Sequence, residues 1–327
     1  MESMAETAED FLISPTRNLG CELDIDWLAN QRINRSAIER RIKSLAGRRT
    51  VKKQWQAAWL LRALTCIDLT TLDGGDTNTN VARLCSKAKL PLRSDLIEAL
   101  GMKSLRVAAV CVYPSLVGVA HSALQGSGIP VASVAAGFPD GLTNLENRLS
   151  EVGSSRSAGA SEIDIVIARN LVLSGDWESL YNEVRAFREV SGDSKLEVIL
   201  GTGNLGNLRN VAHASLASMM AGADFIKTST GKESINATLP VSLVMLRAIR
   251  NYHEKTGFMV GFKAAGGIRK AKEALSYLML IHEELGADWL RSNYFRIGAS
   301  GLLTDLGRQL EHYVTGRYSG NHRHPMG

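Results

Sequence analysis

Eight short apolar stretches recur along this chain, each followed by a longer amphipathic one. They are 65–72 ("TCIDLTTL"), 106–114 ("RVAAVCVYP"), 130–139 ("PVASVAAGFP"), 162–167 ("EIDIVI"), 196–203 ("LEVILGTG"), 224–231 ("DFIKTSTG"), 259–267 ("MVGFKAAGG") and 294–300 ("YFRIGAS"). Successive stretches begin roughly 25 to 40 residues apart, the size of a strand-plus-helix unit. Their near-continuous apolar character suits parallel strands covered by helices. Segments such as "WESLYNEVRAFREV" and "VSLVMLRAIRNYHEK" supply those helices. Eight such units in ~250 residues predict an α/β fold, a TIM (β/α)8 barrel. An open doubly wound sheet also alternates strands and helices, but five or six strands is its usual number.

No Pro/Gly/Ser-rich linker divides the pattern. Residues 46–318 therefore read as one barrel domain, preceded by an N-terminal extension (1–45) and followed by a tail (319–327). The extension is expected to be helical and to pack outside the barrel, from the spacing of Trp27, Leu28, Ile33, Ile38 and Ile42.

Composition narrows the setting. Of 327 residues, 45% are hydrophobic and 22% charged, an ordinary globular mixture. No apolar run reaches the ~18 residues of a membrane span. The acidic start "MESMAETAED" lacks the basic n-region of a signal peptide. Cys21, Cys66, Cys85 and Cys111 form no C-x-x-C or zinc spacing, so reduced thiols in a cytoplasmic setting are expected. The net charge of +5 favours anionic partners. The basic group Arg40–Lys53 is not interleaved with aromatics, so a solvated helix face is expected there rather than a nucleic-acid surface. His322 and His324 are metal-capable, but a frayed end is the expectation. Assembly into a homo-oligomer is compatible with the sequence, which does not set a subunit number.

In such a barrel function sits at the C-terminal ends of the strands. Those ends carry Asp68 and Thr70, Cys111, Asp164, Lys227, Thr228, Ser229 and Lys263. Lys227 in "FIKTS" and Lys263 in "GFKAA" occupy equivalent places on neighbouring strands, ~4.8 Å apart. Alternation lets both point into the barrel mouth. Two like charges that close push one pKa down. A fall of three units from ~10.4 costs roughly 4 kcal/mol and makes the neutral amine common near pH 7. A neutral amine beside a cation is nucleophilic toward carbonyls, and Asp164 could move protons. The alternative is that each lysine merely neutralises a carboxylate such as Asp68 or Asp164.

The "AAGG" after the seventh strand (Gly266, Gly267) and "GASG" after the eighth (Gly298 to Gly301, with Ser300) lie where barrels bind phosphate through backbone N–H groups. Two other motifs fail. "STGKE" lacks the first glycine of a P-loop and has Glu233 for Ser/Thr. "GTGNLG" (Gly201 to Gly206) follows a strand, but its ribose-binding acid should close the next strand, and Asp224 opens it.

Together "DFIKTSTGK", "GFKAAGGIR", "EIDIVI", "DLTTL" and "FRIGAS" resemble the deoxyribose-phosphate aldolases, class I aldolases on a TIM barrel. The resemblance runs from about Trp55 to Tyr318. "RRTVKKQWQAAWLLRALTCIDLTTL" and "VTGRY" look like the longer, animal-type branch. It implies reversible, metal-free and cofactor-free cleavage of 2-deoxy-D-ribose 5-phosphate to D-glyceraldehyde 3-phosphate and acetaldehyde, in deoxyribonucleoside catabolism. By motif match it implies Lys227 as the Schiff-base lysine, Lys263 as the lysine that tunes it, and Asp164 as the proton-relay acid. Gly231, Gly266, Gly267 and Ser300 would surround the phosphate, with Lys232 nearby. Asp68 would hold sugar hydroxyls or the lysine pair. Three positions depart from the family's usual "GFKPAGG", "TGEL" and Ser/Thr after "GAS": Ala264, Asn204 and Gly301. Another lysine-dependent sugar-phosphate aldolase or transaldolase, and a non-catalytic barrel binding phosphate metabolites or RNA, are the competing readings.

Overall fold

The computed structural model describes residues 17–47, 51–320 and 323. His322, His324, Arg48, Arg49 and the start "MESMAETAED" lie outside them. Eight strands close into a parallel barrel in sequence order: β1 (Ile67–Thr70), β2 (Ala109–Val112), β3 (Val131–Ala135), β4 (Glu162–Val166), β5 (Lys195–Ile199), β6 (Phe225–Lys227), β7 (Gly261–Ala265) and β8 (Phe295–Ala299). Helices connect the strands, so this is the expected (β/α)8 barrel. Their outward side chains, among them Leu69, Val110, Ile163, Val198, Ile226, Phe262 and Ile297, are buried with the surrounding helices in one apolar core.

Inside, the barrel differs from the usual packing of branched aliphatics. Asp68, Glu162, Asp164, Glu197, Lys227, Lys263 and Arg296 are all at most 2% exposed. Beside them Cys111, Ala132 and Val134 form an apolar cluster of their own, and Phe225 packs under Arg296. A charged axis therefore runs through a ring of apolar strands, and each charge needs a partner there.

Three helices precede the barrel: α1 (Ile25–Ala29), α2 (Arg35–Ala46) and α3 (Lys53–Thr65). The extension is thus helical but broken. Asp24 caps α1 by accepting from Trp27 N at 2.8 Å, and Asn34 restarts the chain as α2 by accepting from Ala37 N at 2.9 Å. Leu28 and Ile38 are buried in the main core. Trp27 stacks on Tyr252, 6.1 Å between centroids, and Arg41 bonds Glu283 and Glu284 at 2.7 and 3.1 Å. Among the described residues no helix is long and apolar enough to cross a membrane.

The failed nucleotide motif has structural work instead. Gly201 takes φ +66°, and a Cβ on Gly203 would stand 2.1 Å from Ile235 O, so only glycine lets these loops touch. Asp224 opens β6 and bonds Arg188 at 2.7 Å, Leu196 N at 2.9 Å and Asn18 N at 3.1 Å.

Candidate active site

β6 and β7 pair so that Lys227 and Lys263 are direct neighbours. Lys227 donates to Asp164 Oδ2 at 2.5 Å, and Lys263 donates to the same oxygen at 2.9 Å. Lys263 also donates to Asp68 Oδ2 and, at 2.5 Å, to Glu197 Oε2. The two ammonium groups thus share a counter-ion, and Lys263 spends all three of its N–H bonds on carboxyls. Ion pairing and lysine–lysine proximity coexist here, although they were alternatives at the level of sequence.

The small polar run after Lys227 stitches β6 to β7. Thr228 N donates to Lys263 O at 3.0 Å. Thr228 Oγ1 accepts from Ala265 N at 3.0 Å, and Ser229 Oγ donates to Ala265 O at 2.6 Å. Side-chain hydroxyls thereby replace the ladder where the strand ends, and they fix Lys227 against Lys263.

Above the lysines lies a cavity of about 340 Å³ with Lys227 in its wall, within the ~300–1,000 Å³ of small-ligand sites. Thr70, Gly231, Lys232, Gly266, Gly267, Gly298 and Ser300 line it. Asp68, Asp164 and Lys263 lie beneath it, fully buried. Gly231, Gly266 and Gly267 take φ of +85°, +81° and +86°. At Gly266 a Cβ would also stand 2.6 Å from Asn236, so this turn excludes other residues on both counts. Thr70 Oγ1 donates to Asp68 O at 2.9 Å, and Lys232 reaches across the mouth to Leu72 O at 2.7 Å. Glu233 accepts from Thr230 N at 3.0 Å and from its hydroxyl at 2.7 Å, which closes the "STGKE" turn.

Burial and charge act in opposite directions on these groups. Burial by itself would raise the Asp164 carboxyl, but Lys227 and Lys263 outweigh it and hold that carboxyl well below the ordinary range. Burial would lower Lys263, yet Asp164, Asp68 and Glu197 hold its ammonium well above the usual lysine value. For Glu197, burial and then the charge of Asp164 both push upward, and Lys263 only partly opposes them. Burial likewise raises the Cys111 thiol well above its ordinary value. Lys263 is thus a fixed cation, and Lys227, at the cavity wall, is the amine that a ligand can reach.

Sequence reasoning missed Glu197, Glu162 and Arg296 in the interior, and Thr230 and Arg269 in the cavity wall. The signal was there: "LEVIL", "EIDIVI" and "YFRIGAS" each carry a charge inside an apolar run, the same anomaly that marked the lysines.

Fold and interior together define a (β/α)8 barrel with paired lysines beneath a glycine-lined cavity. The family of DeoC/LacD family aldolases matches residues 62–307, and the chain belongs to it. Relatives include the human deoxyribose-phosphate aldolase, 57% identical over 313 residues that cover 94% of this chain and 98% of that one. The mouse deoxyribose-phosphate aldolase is 58% identical over 311 residues, with the same coverage. Among solved structures, QR15, an aldolase, superposes with a TM-score of 0.60 at 26% identity, covering 77% of this chain and 97% of its own. The tetrameric deoxyribose phosphate aldolase from Aeropyrum pernix shares the fold, with a TM-score of 0.57 at 23% identity, covering 81% of this chain and 97% of its own.

Proposed function

We propose that this chain is a class I aldolase that reversibly cleaves 2-deoxy-D-ribose 5-phosphate to D-glyceraldehyde 3-phosphate and acetaldehyde. The observation that carries the reading is Lys227, a nearly buried amine in a cavity wall, hydrogen-bonded to Asp164 beside the fixed cation Lys263. The near-complete match to curated deoxyribose-phosphate aldolases supports the substrate.

The chemistry begins when Lys227 passes a proton to Asp164 and its nitrogen attacks C1 of the open-chain sugar. The carbinolamine loses water to give an iminium, with Asp164 returning the proton to the departing hydroxyl. The C3 hydroxyl gives its proton to Asp164, ionised again, the C2–C3 bond breaks, and its electrons flow into the iminium to form an enamine. C3 leaves as the aldehyde carbon of glyceraldehyde 3-phosphate. Protonation of the enamine at C2 and hydrolysis by water release acetaldehyde and restore the Lys227 amine. Lys263 keeps positive charge beside the nitrogen throughout. Gly231, Gly266, Gly267, Gly298 and Ser300 would receive the phosphate, with Lys232 adding charge, while Thr70 would face the sugar and Asp68, beneath it, would hold Lys263.

We assign residues 46–318 to the aldolase domain, 1–45 to its extension and 319–327 to a tail. A homo-oligomeric cytoplasmic enzyme of deoxyribonucleoside catabolism, working without a metal or cofactor, fits this reading. Borohydride added together with deoxyribose 5-phosphate is expected to leave a stable two-carbon mass increase on Lys227. An adduct that persists in K227A, or no adduct in the unaltered chain, overturns the assignment. Release of dihydroxyacetone-type products instead of acetaldehyde would favour a transaldolase-like relative.

A further inference from the structure

Glu197 is a fully buried carboxyl for which the cleavage chemistry has no role. It lies on β5 directly opposite Asp164 of β4. Its Oε2 accepts from Lys263 at 2.5 Å, and Asp164 Oδ2 accepts from the same ammonium at 2.9 Å. Two buried carboxyls on one ammonium repel each other when both are ionised, and one proton on the pair removes that repulsion. Among the described residues, Glu197 Oε1, Asp164 Oδ1 and Asp68 Oδ1 have no hydrogen-bond partner.

Charge balance agrees with this geometry. The sealed group holds two ammonium ions, Lys227 and Lys263, and three carboxyls, Asp68, Asp164 and Glu197. Ionised throughout, it would bury one uncompensated negative charge, which a low-dielectric interior strongly penalises. The layer beneath holds two cations on one carboxylate, but among the described residues neither donates to Asp68, Asp164 or Glu197. Arg296 from β8 is held by both oxygens of Glu162 from β4, at 3.0 and 3.1 Å, and Lys195 leans on Glu162 at 3.4 Å. Cys111, facing the group from β2, is a protonated thiol. Asp164 touches both ammonium ions and is the least suited to hold the extra proton. Among the described residues Glu197 and Asp68 each have only Lys263 as a cationic contact, but Glu197 alone of the two also lies directly opposite Asp164, with oxygens of Asp68 and Glu162 within 4.8 Å.

We propose that Glu197 carries this proton in the resting protein. It is then a positioning residue, a neutral acid that holds Lys263 beside Asp164, so that two ammonium ions face two carboxylates. Burial and the charge of Asp164 push the Glu197 carboxyl upward, in the direction the proposal needs. The consequence rests on Lys227 being the nucleophile. An ionised Glu197 would set a second negative charge beside Asp164 on the same lysine, whereas a neutral one leaves Asp164 and Asp68 as the two counter-ions of the lysine pair.

The test uses the full chain with 13C at its glutamate side-chain carboxyls. At pH 7 one glutamate signal is expected at the shift of a neutral acid, and E197Q is expected to lack it. E197Q, which keeps the neutral hydrogen bonds, should lose no more than about fivefold in kcat/KM, whereas E197A should lose about 10- to 100-fold. The basic limb of the E197Q pH–rate profile should move upward, because glutamine cannot ionise. If every glutamate is an ordinary carboxylate at pH 7, the proposal falls whatever the variants do. Equal losses in E197Q and E197A, or losses in neither, also overturn it. Borohydride capture at Lys227 in the unaltered chain is read separately. An adduct with an ionised Glu197 sinks only this proposal, and a neutral Glu197 without an adduct sinks only the aldolase mechanism.

Discussion

Gly301 shows how one atom group can be argued from space alone. It precedes the helix Leu302–Thr315 and lines the cavity, and a Cβ placed on it would meet nothing within 4 Å. Its φ of −80° suits any residue. A serine there would add a hydroxyl beside the helix N-terminus where the phosphate is proposed to sit, at no steric cost, and serine also caps a helix slightly better than glycine. One hydrogen bond to a charged group supports a fall in KM of about 3- to 10-fold for G301S. Competitive inhibition by inorganic phosphate should tighten in parallel. Unchanged KM and unchanged phosphate inhibition would remove the phosphate from this end of the cavity. At this scale the lysines were legible because an ammonium in an apolar strand is anomalous. Glu197 carries the same anomaly in "LEVIL". Its partner, Lys263, lies two strands away on β7, and that meeting across the barrel interior is not encoded in a single sequence.

At the scale of elements, the eightfold alternation was readable, and the ends of the elements were not. Residues 224–231 look like one strand, yet β6 stops at Lys227. From Thr228 onward the hydroxyls of Thr228 and Ser229 bond β7 directly. The extension reads as one amphipathic stretch but is two helices, because Asn34 offers a cap where periodicity alone would continue. Ahead of α1 the chain is pinned by Asn18, buried at 2% exposure. Its amide donates to Met219 O at 2.7 Å and to Ala223 O at 2.8 Å, and its oxygen accepts from Tyr252 OH at 2.9 Å. N18A would leave two backbone carbonyls and a buried phenol without this partner, a cost of about 2–3 kcal/mol. For a domain this large that corresponds to a fall in melting temperature of roughly 3–6 °C. Since these contacts lie at the opposite end of β6 from Lys227, kcat should stay within about twofold. A variant that melts with the unaltered chain would mean that the segment before α1 contributes nothing to the barrel.

For the whole molecule, the interior charges tie stability to pH with a definite sign. Asp164 would be raised by burial, but Lys227 and Lys263 hold it below the ordinary range. A carboxyl depressed in the folded state contributes stability that is present above its unfolded value, ~3.9. That contribution is lost as pH falls through the folded value. Glu162 acts in the same direction, because Arg296 outweighs its burial. The barrel should therefore weaken steadily as pH drops below about 4. In D164N the shared counter-ion is gone, so Lys227 and Lys263 repel with less compensation and the protein is less stable at pH 7. The same substitution removes one proton uptake on acidification. Between pH 6 and pH 3 the variant should lose less stability than the unaltered chain, by up to about 1.4 kcal/mol per pH unit within the titration window. It should keep the part of the slope that comes from Glu162. Urea unfolding at a series of pH values measures both curves. Curves that converge toward acid identify Asp164 as the carboxylate that couples the lysine pair to the fold, and parallel curves would mean that the pair is neutralised elsewhere.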